Sequence, residues 1–78
     1  MKTEKVLKIF GEAVKTKGFK SISENVIEKG DYRFTYYGCY SDGTGFVGVE
    51  KKSECAFSGY VDFGSVDTLK VLKTRLGL

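Results

Sequence analysis

Histidine, tryptophan and proline are absent from this 78-residue chain, cysteine occurs twice and methionine once. Lacking histidine, the chain has no Ser-His or Cys-His couple for nucleophilic catalysis. Cys39 and Cys55 alone cannot supply the three or four Cys/His ligands of a usual zinc site. The commonest routes to enzyme chemistry are thereby closed, and no catalytic residue, metal or cofactor is expected. Long apolar runs are missing as well. Lysines at 2, 5 and 8 interrupt the apolar residues of 1–10, so that stretch reads as neither a secretory signal nor a membrane span. Two cysteines without a signal peptide point to a reducing, cytoplasmic setting with free thiols, buried or half-buried and inert.

The residues that are present describe an ordinary globular domain. With 41% hydrophobic and 29% charged residues, disorder is excluded and a single compact domain over 1–78 is expected. A domain this small buries only about 60 to 65% of its unfolded surface. It therefore sits near the stability margin, where a homodimer or a bound partner would help. The net charge of +3 is unevenly spread. Residues 1–20 carry six lysines against Glu4 and Glu12, and residues 68–78 carry Lys70, Lys73 and Arg75 against no acid. The middle of the chain is net acidic.

Residues 3–17 place Val6, Phe10, Ala13 and Val14, with Leu7 beside them, at helical spacing, and put Lys5, Lys8, Glu12 and Lys15 opposite. Thr3 is the expected N-cap and Gly18 the left-handed stop, folding Phe19 back onto Val14. Gly11 costs up to about 1 kcal/mol relative to Ala inside a helix, which predicts a close approach by another element. A second helix is predicted over 65–76, capped by Ser65, with Val66, Leu69, Leu72 and Leu76 on one face and Gly77 closing it. Aromatic-rich runs between the helices predict strands at 20–28, 31–40, 45–51 and 54–63, turned at Lys29-Gly30, Asp42-Gly43 and Lys52-Ser53. The first run also admits a helical reading from Glu24 to Glu28. The expected fold is a two-layer α+β domain in the order α-β-β-β-β-α: a four-stranded antiparallel meander with both helices on one face.

A two-residue Asp42-Gly43 loop of type I′ would set Tyr36 opposite Val49 and Gly38 opposite Val47. Phe34, Tyr36, Val47 and Val49 then share a face suited to the helices. One extra residue in the Lys52-Ser53 turn adds Cys55, Phe57, Val61 and Phe63 to that face, whereas an even-length turn moves Phe57 and Val61 outward. The opposite face would display Arg33, Thr35, Tyr37, Cys39, Phe46, Glu50, Glu54, Ala56, Ser58, Tyr60 and Asp62.

Gly43-Thr44-Gly45-Phe46-Val47-Gly48 matches G-x-G-x-x-G, but a dinucleotide site needs a helix after it to meet the pyrophosphate, and here a strand follows. Hairpin glycines beneath bulky neighbours such as Tyr37 and Phe57 are expected instead. Tyr37, Phe46 and Tyr60 with Arg33 have the composition of a base-stacking surface. However, Glu50, Glu54 and Asp62 on the same face repel phosphate. Tyr, Phe and Arg beside acids suit a protein interface better, making Arg33, Tyr37, Phe46, Glu50 and Tyr60 the candidate partner-binding residues. The alternative is nucleic-acid binding through Lys5, Lys8, Lys15, Lys17 and Arg75. Against it, Glu4–Lys8 and Lys8–Glu12 are helical i,i+4 pairs expected to close as salt bridges on a solvated face. The helix–strands–helix order resembles the double-stranded-RNA-binding domain in topology alone. Where that family opens its last helix with a basic cluster, Gly64-Ser65-Val66-Asp67-Thr68 offers an acid and no lysine. The expected function is that of a small, non-enzymatic intracellular accessory protein, an inhibitor, antitoxin or regulator of phage or mobile-element type. Its expected partner is another protein or a second copy of itself, with no membrane involved.

Overall fold

The computed structural model describes all residues, 1–78. The chain runs α1 (Thr3–Thr16), β1 (Lys20–Ser23), β2 (Val26–Lys29), β3 (Tyr32–Tyr37), β4 (Phe46–Lys52), β5 (Tyr60–Val66) and α2 (Leu69–Leu76). The strands form one antiparallel meander in chain order. The α+β reading therefore holds with five strands in place of four. Residues 20–28 are neither one strand nor partly helix, because Glu24-Asn25 turns them into a hairpin that pairs Ser23 with Val26 and Lys20 with Glu28. Asn25 pins that turn to β3: its side-chain amide donates to the Tyr36 carbonyl at 3.0 Å, and its own carbonyl accepts the Tyr36 N–H at 2.9 Å.

One core joins both helices to one face of the sheet. It comprises Val6, Ile9, Phe10 and Ala13 of α1, Leu72 and Leu76 of α2, Phe19, and Ile27, Phe34, Tyr36, Val47, Val49 and Val66 of the sheet. Burying each large apolar side chain stabilises the fold by about 1.5–3 kcal/mol. Thr3 does not cap α1; Lys2 holds that position without a side-chain bond. The Thr3 hydroxyl instead shares a 2.8 Å hydrogen bond with the phenol of buried Tyr36, which also donates to the Met1 carbonyl. Gly18 is left-handed as expected, with φ +74°, and Phe19 is buried, its N–H reaching the Ala13 carbonyl at 3.4 Å. Gly11 marks no close approach: a side chain there would meet nothing within 4 Å.

The second helix starts later than predicted. Thr68, not Ser65, is its N-cap, accepting the Val71 N–H at 3.3 Å. Ser65 and Val66 belong to β5, where a bulge sets Phe63-Gly64 opposite Val49 between the Glu50–Asp62 and Gly48–Ser65 pairs. Gly64 absorbs it at φ +114°. The extra residue returns Val66 to the core side opposite Val47, so its apolar character serves the strand. At the other end, Gly77 at φ +80° and Leu78 donate to the Thr74 and Lys73 carbonyls, closing α2 in a Schellman ending.

The β3–β4 register differs from the expected one by two residues: Tyr36 pairs Val47 and Phe34 pairs Val49. The tip is not a type I′ turn, which needs positive φ at both central residues, because only Gly43 has it. Three residues, Ser41-Asp42-Gly43, make the tip, closed by Tyr40 N–H to the Thr44 carbonyl at 3.1 Å. A further irregularity at Gly38-Cys39 against Gly45 adds a second one-residue offset. Two offsets restore parity, so Phe34, Tyr36, Val47 and Val49 still share the buried face.

Strand β5 likewise begins at Tyr60, not 54, because Ser53 N–H, Ala56 N–H and Gly59 N–H close a compact loop over 53–59 with Gly59 at φ +82°. Glu54, Cys55, Ala56, Phe57 and Ser58 are therefore on a loop and on neither sheet face, and Phe57 is fully exposed. Cys39 is likewise in the β3–β4 loop. Both thiols are free, as expected, but exposed rather than buried. No helix is long and apolar enough to cross a membrane.

Candidate protein-binding surface

Strand alternation carries Arg33, Tyr37, Phe46, Glu50 and Tyr60 to the sheet face opposite the helices. They form two clusters there. In the first, one row of the sheet runs Glu28, Arg33, Glu50, Asp62 across β2 to β5, setting a single cation among three carboxylates. The Arg33 guanidinium lies 3.7 Å from the Tyr60 ring centroid. Its Nη2 donates to Glu50 Oε2 at 3.5 Å, while its buried Nε lies 3.4 Å from Glu50 Oε1 without hydrogen-bond geometry. Tyr60 completes the ring by donating its hydroxyl to Glu28 Oε2 at 3.2 Å. Partly exposed, the ion pair contributes at most about 1 kcal/mol, and the cation–π contact about 0.5–1 kcal/mol. The effect of the ring is chiefly to fix side-chain positions.

The second cluster is aromatic. Tyr37 and Phe46, directly paired across β3 and β4, stack with centroids 5.2 Å apart, and Tyr40 from the loop adds a tilted contact to Phe46 at 6.3 Å. Tyr37 and Tyr40 remain 44% and 51% exposed. The Tyr37 ring lies over Gly48, where an added Cβ would come 2.8 Å from Cε2. At Gly45 a Cβ would collide with the Tyr37 carbonyl oxygen. Two of the glycines in the G-x-G-x-x-G match thus admit Tyr37 and its backbone, and the match runs into strand β4 where a dinucleotide site needs a helix. Phe57, the other expected neighbour, is remote on its loop. Between the clusters runs an open cleft of about 510 Å³ floored by Gly48 and bordered by Tyr37, Phe46, Glu50, Asp62 and Ser65.

The loop that presents Tyr40 is ordered by Asp42. Its carboxylate accepts the Thr44 hydroxyl at 2.6 Å and the Thr44 N–H at 3.0 Å. The hydroxyl bond first, and the backbone bond second, hold this carboxyl below the usual carboxylate range.

Two participants were not singled out from the sequence. Tyr40 falls at the end of the run 31–40, whose pattern is that of a strand, and Glu28 in the run 20–28, whose turn periodicity does not mark although Asn25 is a turn-forming residue. Of the alternative basic residues only Lys8 and Lys15 are brought together. Lys8 and Lys15 share a depression with Glu12, Lys17 lies with Lys73 and Glu12 in a second, and Arg75 lies with Lys29 in a third. Lys5 is exposed elsewhere on α1. Neither Glu4–Lys8 nor Lys8–Glu12 closes as an ion pair, since Arg33–Glu50 is the only one in the chain. No three Cys, Asp or Glu side chains are grouped to hold a metal ion. Comparison with protein-family models, curated proteins and solved structures found no match.

Proposed function

We propose that this α+β domain is a small non-enzymatic accessory protein that binds and regulates another protein through the outer face of its sheet. The observation that supports this reading is the pre-stacked Tyr37–Phe46 pair on adjacent strands, in which Tyr37 is half-exposed and Phe46 partly exposed. Rings already held together lose little freedom on binding, and aromatic anchors desolvated at an interface contribute about 2 kcal/mol or more each. The neighbouring Glu28, Glu50 and Asp62 favour a partner presenting a cation and disfavour phosphate. Arg33 and Tyr60, fixed by their mutual contact, orient the partner.

The test is affinity capture from the source cell with three immobilised proteins: the natural chain, Tyr37→Ala/Phe46→Ala, and Lys5→Glu/Lys8→Glu/Lys15→Glu, with protein and RNA both quantified. A protein captured by the natural chain and the lysine variant, and reduced at least about tenfold by the aromatic variant, is the expected result. Capture of RNA that is lost only in the lysine variant would transfer the function to nucleic-acid binding.

A further inference from the structure

The helix-covered face is not covered to its end. The row Ile27, Phe34, Val49 is buried, at 1%, 5% and 1% exposure, but the next row outward, Lys29, Tyr32, Lys51, Val61, lies beyond the last turn of α2. There Tyr32, Val61 and the bulged Phe63 are 36%, 41% and 46% exposed. An open cleft of about 540 Å³ results, walled by Phe19, Tyr32, Phe34, Val49, Phe63 and Leu76. Phe63 stands at its mouth on the edge strand β5.

The charge around this apolar cleft has one sign. Lys29 and Arg75 line it, and Lys51 reaches over it, its Nζ 5.8 Å from the Tyr32 centroid and 5.7 Å from that of Phe63. None of the three meets a carboxylate within ion-pair distance, and no acid lines the cleft. Lys29 donates only to the Lys17 carbonyl, at 2.7 Å, and lies 5.4 Å from the Phe19 ring. The nearby acids point elsewhere: Asp31 borders a separate depression, and Glu28 and Asp62 are on the outer face. Lys29 and Lys51 flank Tyr32 from strands on either side, about 10 Å apart by strand spacing.

We propose that this cleft docks an acidic peptide segment carrying an aromatic or aliphatic anchor: the anchor fills the cleft, and carboxylates meet Lys29, Lys51 and Arg75. Cations spread this far require several carboxylates along a chain. A second copy of this protein would set the same three cations against themselves. A nucleic acid would need an open ring face on which to stack a base. Tyr32 and Phe63 instead meet edge-on at 63°, with Lys51 above both. The site is separate from the outer face, so the chain has two surfaces for protein.

Fluorescence anisotropy on the full chain tests this, with a labelled heptapeptide alternating Phe or Leu with Asp or Glu, the same peptide with Lys replacing each acid, and a single-stranded oligonucleotide. The acidic peptide is expected to bind at physiological salt, and the lysine peptide not to bind Tyr37→Ala/Phe46→Ala, in which the acidic outer face has lost its aromatic anchors. Lys51→Glu/Arg75→Glu and Phe63→Ser should each weaken binding at least about tenfold, and Tyr37→Ala/Phe46→Ala should leave it unchanged, which separates this site from the outer face. All substituted side chains are at least partly exposed, and a thermal melt checks each fold. Perturbed amide resonances at Tyr32, Val61 and Phe63 on titrating the natural chain are expected independently of any variant. The proposal is overturned by absence of acidic-peptide binding, by equal binding of both peptides to Tyr37→Ala/Phe46→Ala, by tighter binding of the oligonucleotide, or by amide changes confined to the outer face.

Discussion

Gly11 shows how sharply a side-chain environment can depart from what a residue type suggests. It interrupts a good helical pattern, yet it faces solvent with open space where a Cβ would stand. Its only effect on stability is conformational: glycine in a helix interior is less favourable than alanine by up to about 1 kcal/mol. Gly11→Ala is therefore expected to raise stability by that amount, or about 4–8 °C in melting temperature for a domain of this size, measured by circular dichroism. An unchanged or lower melting point would mean that another element does approach α1 there. Tyr36 and Tyr37 make the complementary case. Adjacent in sequence and identical in type, they part to opposite faces, Tyr36 buried at 4% exposure with its hydroxyl on Thr3 and Met1, Tyr37 half-exposed in the candidate site.

Among elements, the β3–β4 hairpin couples the site to pH. The Asp42 carboxylate that clamps Thr44 titrates lower in the folded chain than in the unfolded one. Its stabilising contribution is thus fully present above the ordinary aspartate range and is lost as pH falls through the lowered folded value. The Thr44 amide resonance should follow a titration centred below that of a free aspartate, and Asp42→Asn should abolish it. This hairpin also shows what was legible in the chain. Alternation of aromatic and β-branched residues identified which side chains share a face, because two one-residue irregularities cancel in parity. Pairing itself was not legible: it depends on how Gly45 packs against the Tyr37 carbonyl and on the tip conformation, neither of which periodicity encodes. The same limit applies to β5. Its bulge lets Val66 continue a strand while also fitting the helical spacing of Leu69, Leu72 and Leu76, so pattern alone started the helix four residues early. Arg33, Tyr37, Phe46 and Glu50 were legible on the outer face from alternation, while Tyr60 joined them only if the turn after Lys52 was odd in length, as the seven-residue loop 53–59 is; their partition into an ion-paired ring and an aromatic stack was not legible, since it required the positions of Glu28 and Tyr40.

For the molecule as a whole, the two cysteines lie in loops at opposite ends of the seven-residue strand β4, roughly 20 Å apart by strand rise. A disulfide needs Cα atoms within about 7 Å. Thiol titration of unfolded, unreduced monomer should find both free; an oxidised pair in a monomer would contradict the loop placement. The meander has a kinetic consequence as well. Every strand hydrogen-bonds only to its neighbours along the chain, so the ladder can zip one hairpin at a time with short loop closures. Remote segments are joined by the packing of both helices on the sheet and on each other, by the ties from Met1 and Thr3 to the β3–β4 hairpin, and by side-chain contacts such as Tyr60–Glu28 and Tyr32–Phe63. With no proline in the sequence, no slow imide isomerisation interrupts this order. Stopped-flow refolding followed by tyrosine fluorescence should therefore show one exponential and no component lasting tens of seconds. A chain that needs no isomerase and no distant strand exchange spends little time with its inner strands β2, β3 and β4 unpaired, the interval in which small β-rich proteins are most exposed to aggregation.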